Sequence, residues 1–425
     1  MPETIENFTS ATPSGYKQTE IGLIPNDWGV KRLGDLGTVV RGGSPRPAGD
    51  PRYFNGNYIP WLTVAALTNI SDQQLTVTET SSFLTEEGSK HSRTLETGTL
   101  IIANSGATLG VAKILGMTCC ANDGIAAIVN QSVGDTRFVC QYINTRTKHL
   151  REVVATGNGQ PNLNIKLIRE ILIPYPLLSE QSAIAEALYD LDALIGALDQ
   201  IIDKKRSIKL AAMQQLLTGK KRLAGFHGEW QTKQLGNTGT FFKGFGIKKD
   251  EVVSDGLPCI RYGEIYTHHN DHLKKFNSYI TPATAKQTQR IQKGDLLFAA
   301  SGETIEEIGK CVAFLGDEEA YAGGDIIIFR PVGQDSKFLG YLMNQSSVAS
   351  QKARMGQGEV VVHISSRNLA RLEIFLPPQR EQTAIAEALS DVDAELAELE
   401  QRRAKTHALK QGMMQELLTG RTRLL

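Results

Sequence analysis

Cysteines are few in this sequence and show no pattern typical of a metal or disulfide site. There are five, an odd number, and none belongs to a CxxC pair. We therefore expect reduced thiols in a cytosolic protein, without a disulfide framework and without zinc. The N-terminus has no charged-then-apolar signal segment, and no run of about 18 apolar residues occurs. These absences predict a cytoplasmic protein that does not enter a membrane.

An excess of charge is also absent, because 46 basic residues balance 46 acidic ones. This balance excludes a protein coated in positive charge, but it does not exclude a local basic groove for nucleic acid. The sequence has no GxxxxGK[ST] loop for ATP and no GxGxxG dinucleotide turn. We therefore expect neither ATP nor a dinucleotide to be bound by this chain.

The sequence does contain a long internal repeat. EQSAIAEAL at 180–188 returns as EQTAIAEAL at 381–389, and the alignment continues without a gap to Leu223 and Leu424. The offset of 201 residues, with roughly half of the positions identical, is too long for a solenoid unit and indicates a duplicated domain with its connector. The chain is therefore predicted to contain two copies of a globular domain, each followed by a helix.

Each repeat carries the pattern of a long amphipathic helix, in which apolar residues recur at alternating spacings of four and three. The first stripe consists of Ile184, Leu188, Leu191, Ile195, Leu198 and Ile202, and the second of Ile385, Leu389, Val392, Leu396 and Leu399. The mean period of 3.5 gives each helix one narrow apolar seam.

The ends of both helices are marked in the sequence. Ser179 is the expected N-cap of the first, Pro377 and Pro378 precede the second, and Gly219 and Gly420 follow the last leucines. Each helix is predicted to have nearly forty residues, or about 55 Å at 1.5 Å per residue. A helix of this length with one apolar seam must pair along that seam. Its duplicate is the expected antiparallel partner, and the alternative is a core helix of a larger bundle.

The globular copies share landmarks and differ between them. WGVKRLGDLGT at 28–38 corresponds to WQTKQLGNTGT at 230–240, and GTLIIANSGAT at 98–108 to GDLLFAASGET at 294–304. β-Branched runs at 99–103, 125–129, 296–300 and 325–329 predict strands in a mixed α/β (α+β) domain. Two domains that keep a frame but differ in the intervening surface are typical of recognition modules with different targets.

The C-terminus also repeats the start of a domain. RTRLL at 421–425 matches KKRLA at 220–224, which leads directly into the second domain. If the helices pair antiparallel, the molecule would have circular pseudo-twofold symmetry.

Taken in order, these segments resemble the specificity subunit of type I restriction-modification enzymes over essentially the whole chain. TEIGLIPNDW at 19–28 and GFHGEW at 225–230 resemble the starts of the two target recognition domains, and RGGSP at 41–45 the glycine-rich turn that follows the first. The helical segments 180–217 and 381–418, each followed by Thr-Gly, are similar to the family's central and distal conserved helices.

The resemblance implies a subunit without catalytic activity. Each target recognition domain would read one half of a bipartite site in double-stranded DNA, and the helix pair would set the unread spacer. Partners would be two modification subunits using S-adenosylmethionine and restriction subunits hydrolysing ATP with Mg. The chain lacks the Asn-Pro-Pro-aromatic motif of adenine methylation, which agrees with this role. The implied divisions are 1–178 and 223–378 for the recognition domains, and 179–222 and 379–425 for the helices.

Candidate DNA-binding residues follow from side-chain chemistry, because Arg reads guanine, Lys holds phosphates, and Asn or Gln pairs with adenine. In the first domain they are Arg41, Gly42, Ser44, Arg46, Ser105, Thr108, Asn158, Gln160 and Asn162, and in the second Lys243, Lys248, Ser301, Thr304 and Gln357. The alternatives are solvated loop charges and, for the Ser-Gly pairs, a purely structural turn.

Two other functions remain open at the level of sequence. One is a coiled-coil scaffold that joins two interaction domains without binding DNA, which the neutral net charge mildly favours. The other is a hydrolase using His268, His269 and His272, although no partner motif accompanies them and a polar surface loop is the simpler interpretation. We therefore predict no metal site.

Overall fold

The computed structural model describes residues 12–71, 73–155, 161–358 and 361–424. The chain divides into two units: unit 1 comprises Met1–Gln200 and Glu400–Leu425, and unit 2 comprises Ile201–Leu399. Each unit therefore contains one globular body together with a segment of each long helix.

Unit 1 is built mainly on two sheets. Its strands are β1 (Tyr16–Thr19), β2 (Gly22–Pro25), β3 (Gly29–Arg32), β4 (Thr38–Arg41), β5 (Phe54–Leu62), β6 (Thr76–Val77), β7 (Phe83–Leu84), β8 (Arg93–Leu95), β9 (Leu100–Ala103), β10 (Ala112–Leu115), β11 (Cys119–Ala121), β12 (Ile125–Val129) and β13 (Leu172–Tyr175). The sheet orders are β4-β12-β9-β10-β6 and β7-β5-β11-β8, with β1-β2 and β3-β13 as separate pairs. Its helices are α1 (Val64–Thr68), α2 (Glu86–Lys90), α3 (Thr136–Thr145), α4 (Thr147–His149), α5 (Ile165–Arg169) and the start of α6 (Leu178–Leu216).

Unit 2 repeats this architecture. Its strands are β14 (Gln231–Gln234), β15 (Gly239–Lys243), β16 (Val252–Val253), β17 (Leu257–Ile260), β18 (Ser278–Ile280), β19 (Gln289–Ile291), β20 (Leu296–Ala299), β21 (Ser301–Gly302), β22 (Cys311–Ala313), β23 (Ala320–Ala322), β24 (Ile326–Pro331), β25 (Val362–His363) and β26 (Glu373–Leu376). Its helices are α7 (Tyr262–Thr267), α8 (Pro282–Ala285), α9 (Ser336–Met343), α10 (Ser346–Met355), α11 (Ser366–Ala370) and the start of α12 (Gln379–Leu417). The order β15-β24-β20-β22 matches β4-β12-β9-β10, and β17-β23-β19 matches β5-β11-β8.

The central strands form where the sequence predicts them. All four residues of β9 and of β20 are buried, which explains why these strands read as continuous apolar runs rather than alternating ones. Each pairs antiparallel with the next long strand, β12 or β24. The mixed α/β fold in two copies is therefore confirmed.

The long helices have 39 residues each. Because α6 already begins at Leu178, Ser179 lies inside the first turn and the predicted N-cap is wrong. Gly219 and Gly420 have φ angles of +69° and +71°, the left-handed conformation expected of a glycine that ends a helix.

Ion pairs join the two helices inside each unit. The pairs are Asp192–Lys410 and Asp199–Arg403 in unit 1, and Lys205–Glu395 and Lys209–Asp393 in unit 2. In both units the residue number rises along one helix as it falls along the other, so the segments lie side by side and antiparallel.

The predicted apolar stripes are buried for two different reasons. Ile184 and Leu188 belong to the globular core of unit 1, and Ile385 and Leu389 to that of unit 2. The same cores contain Leu417 of α12 in unit 1 and Leu216 of α6 in unit 2. These turns therefore contribute to the domain cores in addition to lying near the other helix. Farther along, Ile195, Leu198, Ile202 and Leu396 are buried, whereas Leu191, Val392 and Leu399 are half-buried.

Candidate nucleic-acid interface

A buried carboxylate fixes the start of α6 to unit 1. Glu180 is only 4 % exposed and accepts a hydrogen bond from Trp28 Nε1 at 3.0 Å. Arg423 donates to the same carboxylate through Nε at 2.5 Å and Nη2 at 2.8 Å. These hydrogen bonds raise the pKa of the Arg423 guanidinium. Because a buried carboxylate without partners is strongly destabilising, this cluster locks the helix onto the domain.

The same cluster occurs in unit 2 with different residues. Glu381 accepts from Trp230 Nε1 at 3.3 Å and from Arg222 at 2.5 and 2.6 Å. Arg222 follows the C-terminal end of α6, as Arg423 follows that of α12. The repeated glutamate and arginine therefore have a structural role in both copies.

The glutamine that follows each repeated glutamate holds the start of a second helix in place. Gln181 Oε1 accepts from the N–H of Asp135 at 2.9 Å, and Gln382 Oε1 accepts from the N–H of Asp335 at 3.0 Å. Asp135 and Asp335 are the N-caps of α3 and α9. The Glu-Gln dipeptide is thus retained in both repeats because it holds the frame of each unit together.

A glycine turn follows β4 and begins the surface that we name edge 1, formed by residues 41–46, 91–93, 104–108 and 122–124. The N–H of Gly42 donates to the carbonyl of Ile125 at 2.8 Å. A Cβ atom on Gly42 would lie 2.1 Å from the carbonyl oxygen of Asn122. Only glycine fits here, which gives the predicted glycine-rich turn its physical reason.

Edge 1 contains three arginines, two of which contact Asp123. Arg41 Nε donates to the backbone oxygen of Asp123 at 2.5 Å, and Arg46 Nη2 lies 3.6 Å from the Asp123 carboxylate. Ser44 Oγ donates to that carboxylate at 2.7 Å. Arg93, which the sequence interpretation missed, donates from Nε to the carbonyl of Arg41 at 2.7 Å. The three guanidinium groups outnumber the single carboxylate, so the edge suits a polyanion.

Three other predicted residues of the first domain lie in or beside this edge. Ser105 is half-buried next to Asn104, whose Nδ2 donates to the Asp123 carbonyl at 3.3 Å. Thr108 Oγ1 is buried and has no hydrogen-bond partner among the described residues. Asn162 is half-buried and precedes Leu163, whose N–H donates to the Asn104 carbonyl at 2.9 Å. Asn158 and Gln160 lie outside the described residues.

Edge 2 is the equivalent surface of unit 2, formed by residues 243–248, 261–262, 301–304, 323–325, 357 and 363. A Cβ on Gly244 would lie 2.0 Å from the carbonyl oxygen of Gly323, so the glycine turn is repeated. Lys243 ends β15 and is exposed. Lys248 is also exposed, while its backbone N–H donates to Glu251 Oε2 at 2.6 Å.

Ser301 differs from the prediction. It lies in β21, is 3 % exposed, and its hydroxyl is hydrogen-bonded to His363 Nδ1 at 2.9 Å. The hydroxyl is therefore not presented at the surface of unit 2, because β21 pairs with β25. Thr304, in the turn that follows, and Gln357 are exposed. Gln357 forms two backbone hydrogen bonds with His363. His363 is not among the residues predicted from the sequence.

The histidine cluster is not a surface loop throughout. His269 is 4 % exposed and Asp271 8 % exposed, and burial lowers the pKa of His269 to about 4. Within the described residues no group of three or more His, Cys, Asp or Glu side chains is arranged to hold a metal ion. The five cysteines are buried free thiols. No helix in the described ranges is long and apolar enough to cross a membrane.

Comparison with known proteins agrees with this architecture. Residues 25–204 and 227–407 each match the sequence model of the type I restriction modification DNA specificity domain. The type I restriction enzyme MjaVIII specificity subunit of Methanocaldococcus jannaschii is 23 % identical over 443 aligned residues, which cover 96 % of both chains. The MjaIX specificity subunit of the same organism is 30 % identical over 184 residues, covering 42 % of this chain and 41 % of the relative.

A solved structure has the same fold. The S subunit of a type I restriction-modification system from M. genitalium superposes with a TM-score of 0.60 at 13 % identity, covering 92 % of this chain and 96 % of the other. The two matched segments coincide with the two repeated domains and extend into both long helices. The chain therefore belongs to the type I restriction-modification DNA specificity family, as a specificity subunit with one copy of the family's domain in each half.

Proposed function

We propose that the chain reads a bipartite DNA site, with edge 1 contacting one half and edge 2 the other. The observation that carries this proposal is the combination of two equivalent frames with two different edges. Edge 1 presents Arg41, Arg46 and Arg93, whereas edge 2 presents Lys243 and Lys248 on an equivalent glycine turn. Basic side chains beside a close-fitting turn suit both phosphate contacts and base readout.

The helix pair is proposed to set the spacer between the half-sites. Both helices have 39 residues and contribute to both units. The equivalent contacts of Arg222 and Arg423 support an antiparallel coiled coil with circular pseudo-twofold symmetry. Half-sites read from one face of the duplex are expected about one turn, roughly 10 bp, apart.

The chain is proposed to have no catalytic role of its own. Double-stranded DNA, two modification subunits and restriction subunits are its proposed partners, and S-adenosylmethionine, ATP and Mg would be bound by those subunits. The absence of the nucleotide-binding and adenine-methylation motifs from the sequence supports this division. Adenine methylation by the rigorously purified single subunit would contradict it.

A binding experiment separates this function from that of a scaffold. The complex with its modification subunits is titrated with a duplex carrying the mapped bipartite site and with a duplex in which one half is scrambled. We expect preferential binding to the intact site that weakens steeply with salt, because phosphate contacts release counterions. Equal affinity for both duplexes would favour a scaffold without sequence recognition.

A further inference from the structure

Edge 2 contains an open cleft of about 550 Å³. It lies beside the glycine turn, and the residues that line it include Gly246, Arg261, Tyr262, His268 and Asp325. The cleft joins a potential cationic donor, an aromatic ring and a carboxylate at the surface proposed to face DNA. This combination raises the question of what enters it.

Arg261 lines this cleft and is not held there by its Nε. That nitrogen is buried and has no hydrogen-bond partner among the described residues. Glu264 also lines the cleft, and it accepts from the Arg261 backbone N–H at 2.9 Å and from Ser278 Oγ at 2.6 Å. It makes no hydrogen bond to Arg261 Nε. A buried donor without a partner costs about 1–3 kcal/mol, so its presence calls for a physical reason such as a ligand.

The same backbone position in unit 1 has no such donor. Thr63 and Arg261 are both N-caps with nearly equal angles, φ −112°, ψ 159° and φ −110°, ψ 152°. The carbonyls before them, of Leu62 and Ile260, accept the equivalent bonds at 2.9 Å. The Thr63 hydroxyl accepts from the N–H of Ala66 and is thus used within the domain. The backbone at this position is common to both units, whereas the side chain differs: threonine in unit 1 and arginine in unit 2.

A second, coupled difference opens the cleft in unit 2. In unit 1 a Cβ on Gly124 would lie 2.5 Å from Val64 Cγ2, so valine fills the space and leaves room only for glycine. In unit 2 the equivalent residues are Tyr262, which is 40 % exposed, and Asp325. Asp325 has a φ of +58°, a conformation that few residues other than glycine and Asn or Asp adopt. The carboxylate of this turn is therefore displaced by one position, from Asp123 in unit 1 to Asp325 in unit 2.

We propose that Arg261 and Asp325 are specificity-determining residues that read one G·C base pair in the half-site of unit 2, an inference that rests on the proposed function. In the major groove guanine presents the acceptors O6 and N7, which an arginine fork matches, and cytosine presents the N4 amino donor, which a carboxylate accepts. A phosphate fits less well, because the Asp325 carboxylate in the same cleft would repel it.

The test measures methylation by the assembled complex on a pool of duplexes randomised at each position of both half-sites. The wild type should require a G·C pair at one position of one half. Arg261→Ala should lower methylation of the preferred sequence roughly 10- to 100-fold and relax that position only, the effect of losing one bidentate contact. Asp325→Asn should relax the same position, and Arg261→Gln should shift its preference from guanine towards adenine. Arg371→Ala is the matched control, since this exposed arginine does not line the cleft.

Other outcomes would overturn the assignment. A uniform decrease over all four bases would identify a phosphate contact, and an unchanged motif would show that Arg261 does not touch DNA. If Arg261→Ala does not assemble, Arg261→Gln decides, because a retained guanine preference contradicts the proposal. A wild-type complex with no bipartite motif would instead refute the proposed function, so the two failures are distinguishable.

Discussion

Edge 1 and edge 2 stand on the same backbone and carry different chemistry. Both have a glycine whose Cβ would collide with a neighbouring carbonyl, at 2.1 Å for Gly42 and 2.0 Å for Gly244. Edge 1 has two arginines in contact with Asp123, whereas edge 2 has an open cleft with Arg261 and Asp325. Contacts that hold the frame are therefore repeated in both units, whereas the side chains at the two edges have diverged.

The frame glycines should give the largest effect. Gly42→Ala should destabilise unit 1 by about 3–4 kcal/mol, because backbone must move to admit the methyl group. Gly43→Ala is the control, since its Cβ would find its nearest neighbour at 3.8 Å. Hydrogen exchange resolved by unit should show the loss in unit 1 for the first variant only. Equal stability of the two variants would mean that the close approach does not matter.

The second-largest loss of stability is expected for Glu180, which holds α6 on the domain. Glu180→Ala removes the partner of Trp28 and Arg423 and should cost about 2–3 kcal/mol, less than a fully buried pair because Arg423 is partly exposed. Glu186→Ala, an exposed position on the same helix, should leave thermal unfolding unchanged. If both variants unfold alike, the carboxylate does not hold α6 onto the domain.

The parts that could be predicted from the sequence are those where local pattern determines structure. The signal is local in each case. It is a periodicity for the seams of α6 and α12, a continuous apolar run for β9 and β20, and a conformational requirement for the glycine turns. Glu180 and Glu381 could have been singled out, because they are retained in the repeat although a glutamate is costly to bury. Arg261 and Asp325 could not, since they lie in diverged segments and meet only through the sheet topology. Ser301 was misjudged because its strand partner, β25, is distant in sequence.

The two units should also respond differently to acid. Burial lowers the pKa of His269 to about 4, while nearby Glu264 acts in the opposite direction. Unfolded histidine binds a proton below about pH 6.5, so this group reduces stability progressively as the pH falls from 6.5 towards 4. The expected loss in unit 2 is on the order of 2 kcal/mol. His269→Gln should reduce the dependence of the stability of unit 2 on pH. His268→Gln, at the exposed neighbouring position, should leave it unchanged. The reverse result would show that His269 is not the titrating group.

The smallest expected change is in the spacer. Inserting four residues near Leu194, an exposed position, shifts the chain beyond it by ~6 Å along α6 and rotates it by about 40° net. Because the unaltered helix resists, we expect the spacer to lengthen by about one base pair at ~3.4 Å per pair, with both half-site sequences retained. Methylation mapping that returned the original spacer would show that the helices do not set it.

Exchange of one domain tests whether the two domains read their half-sites independently. Residues 29–176 are replaced by the corresponding segment of a related specificity subunit, and methyladenine is mapped at base resolution in cells that contain the hybrid and its modification subunit. Edge 1 lies wholly within this segment, and edge 2 lies wholly outside it. One half of the methylated motif should therefore change to that of the donor, while the other half stays as it was. A motif in which both halves change, or neither does, would contradict independent reading by the two domains.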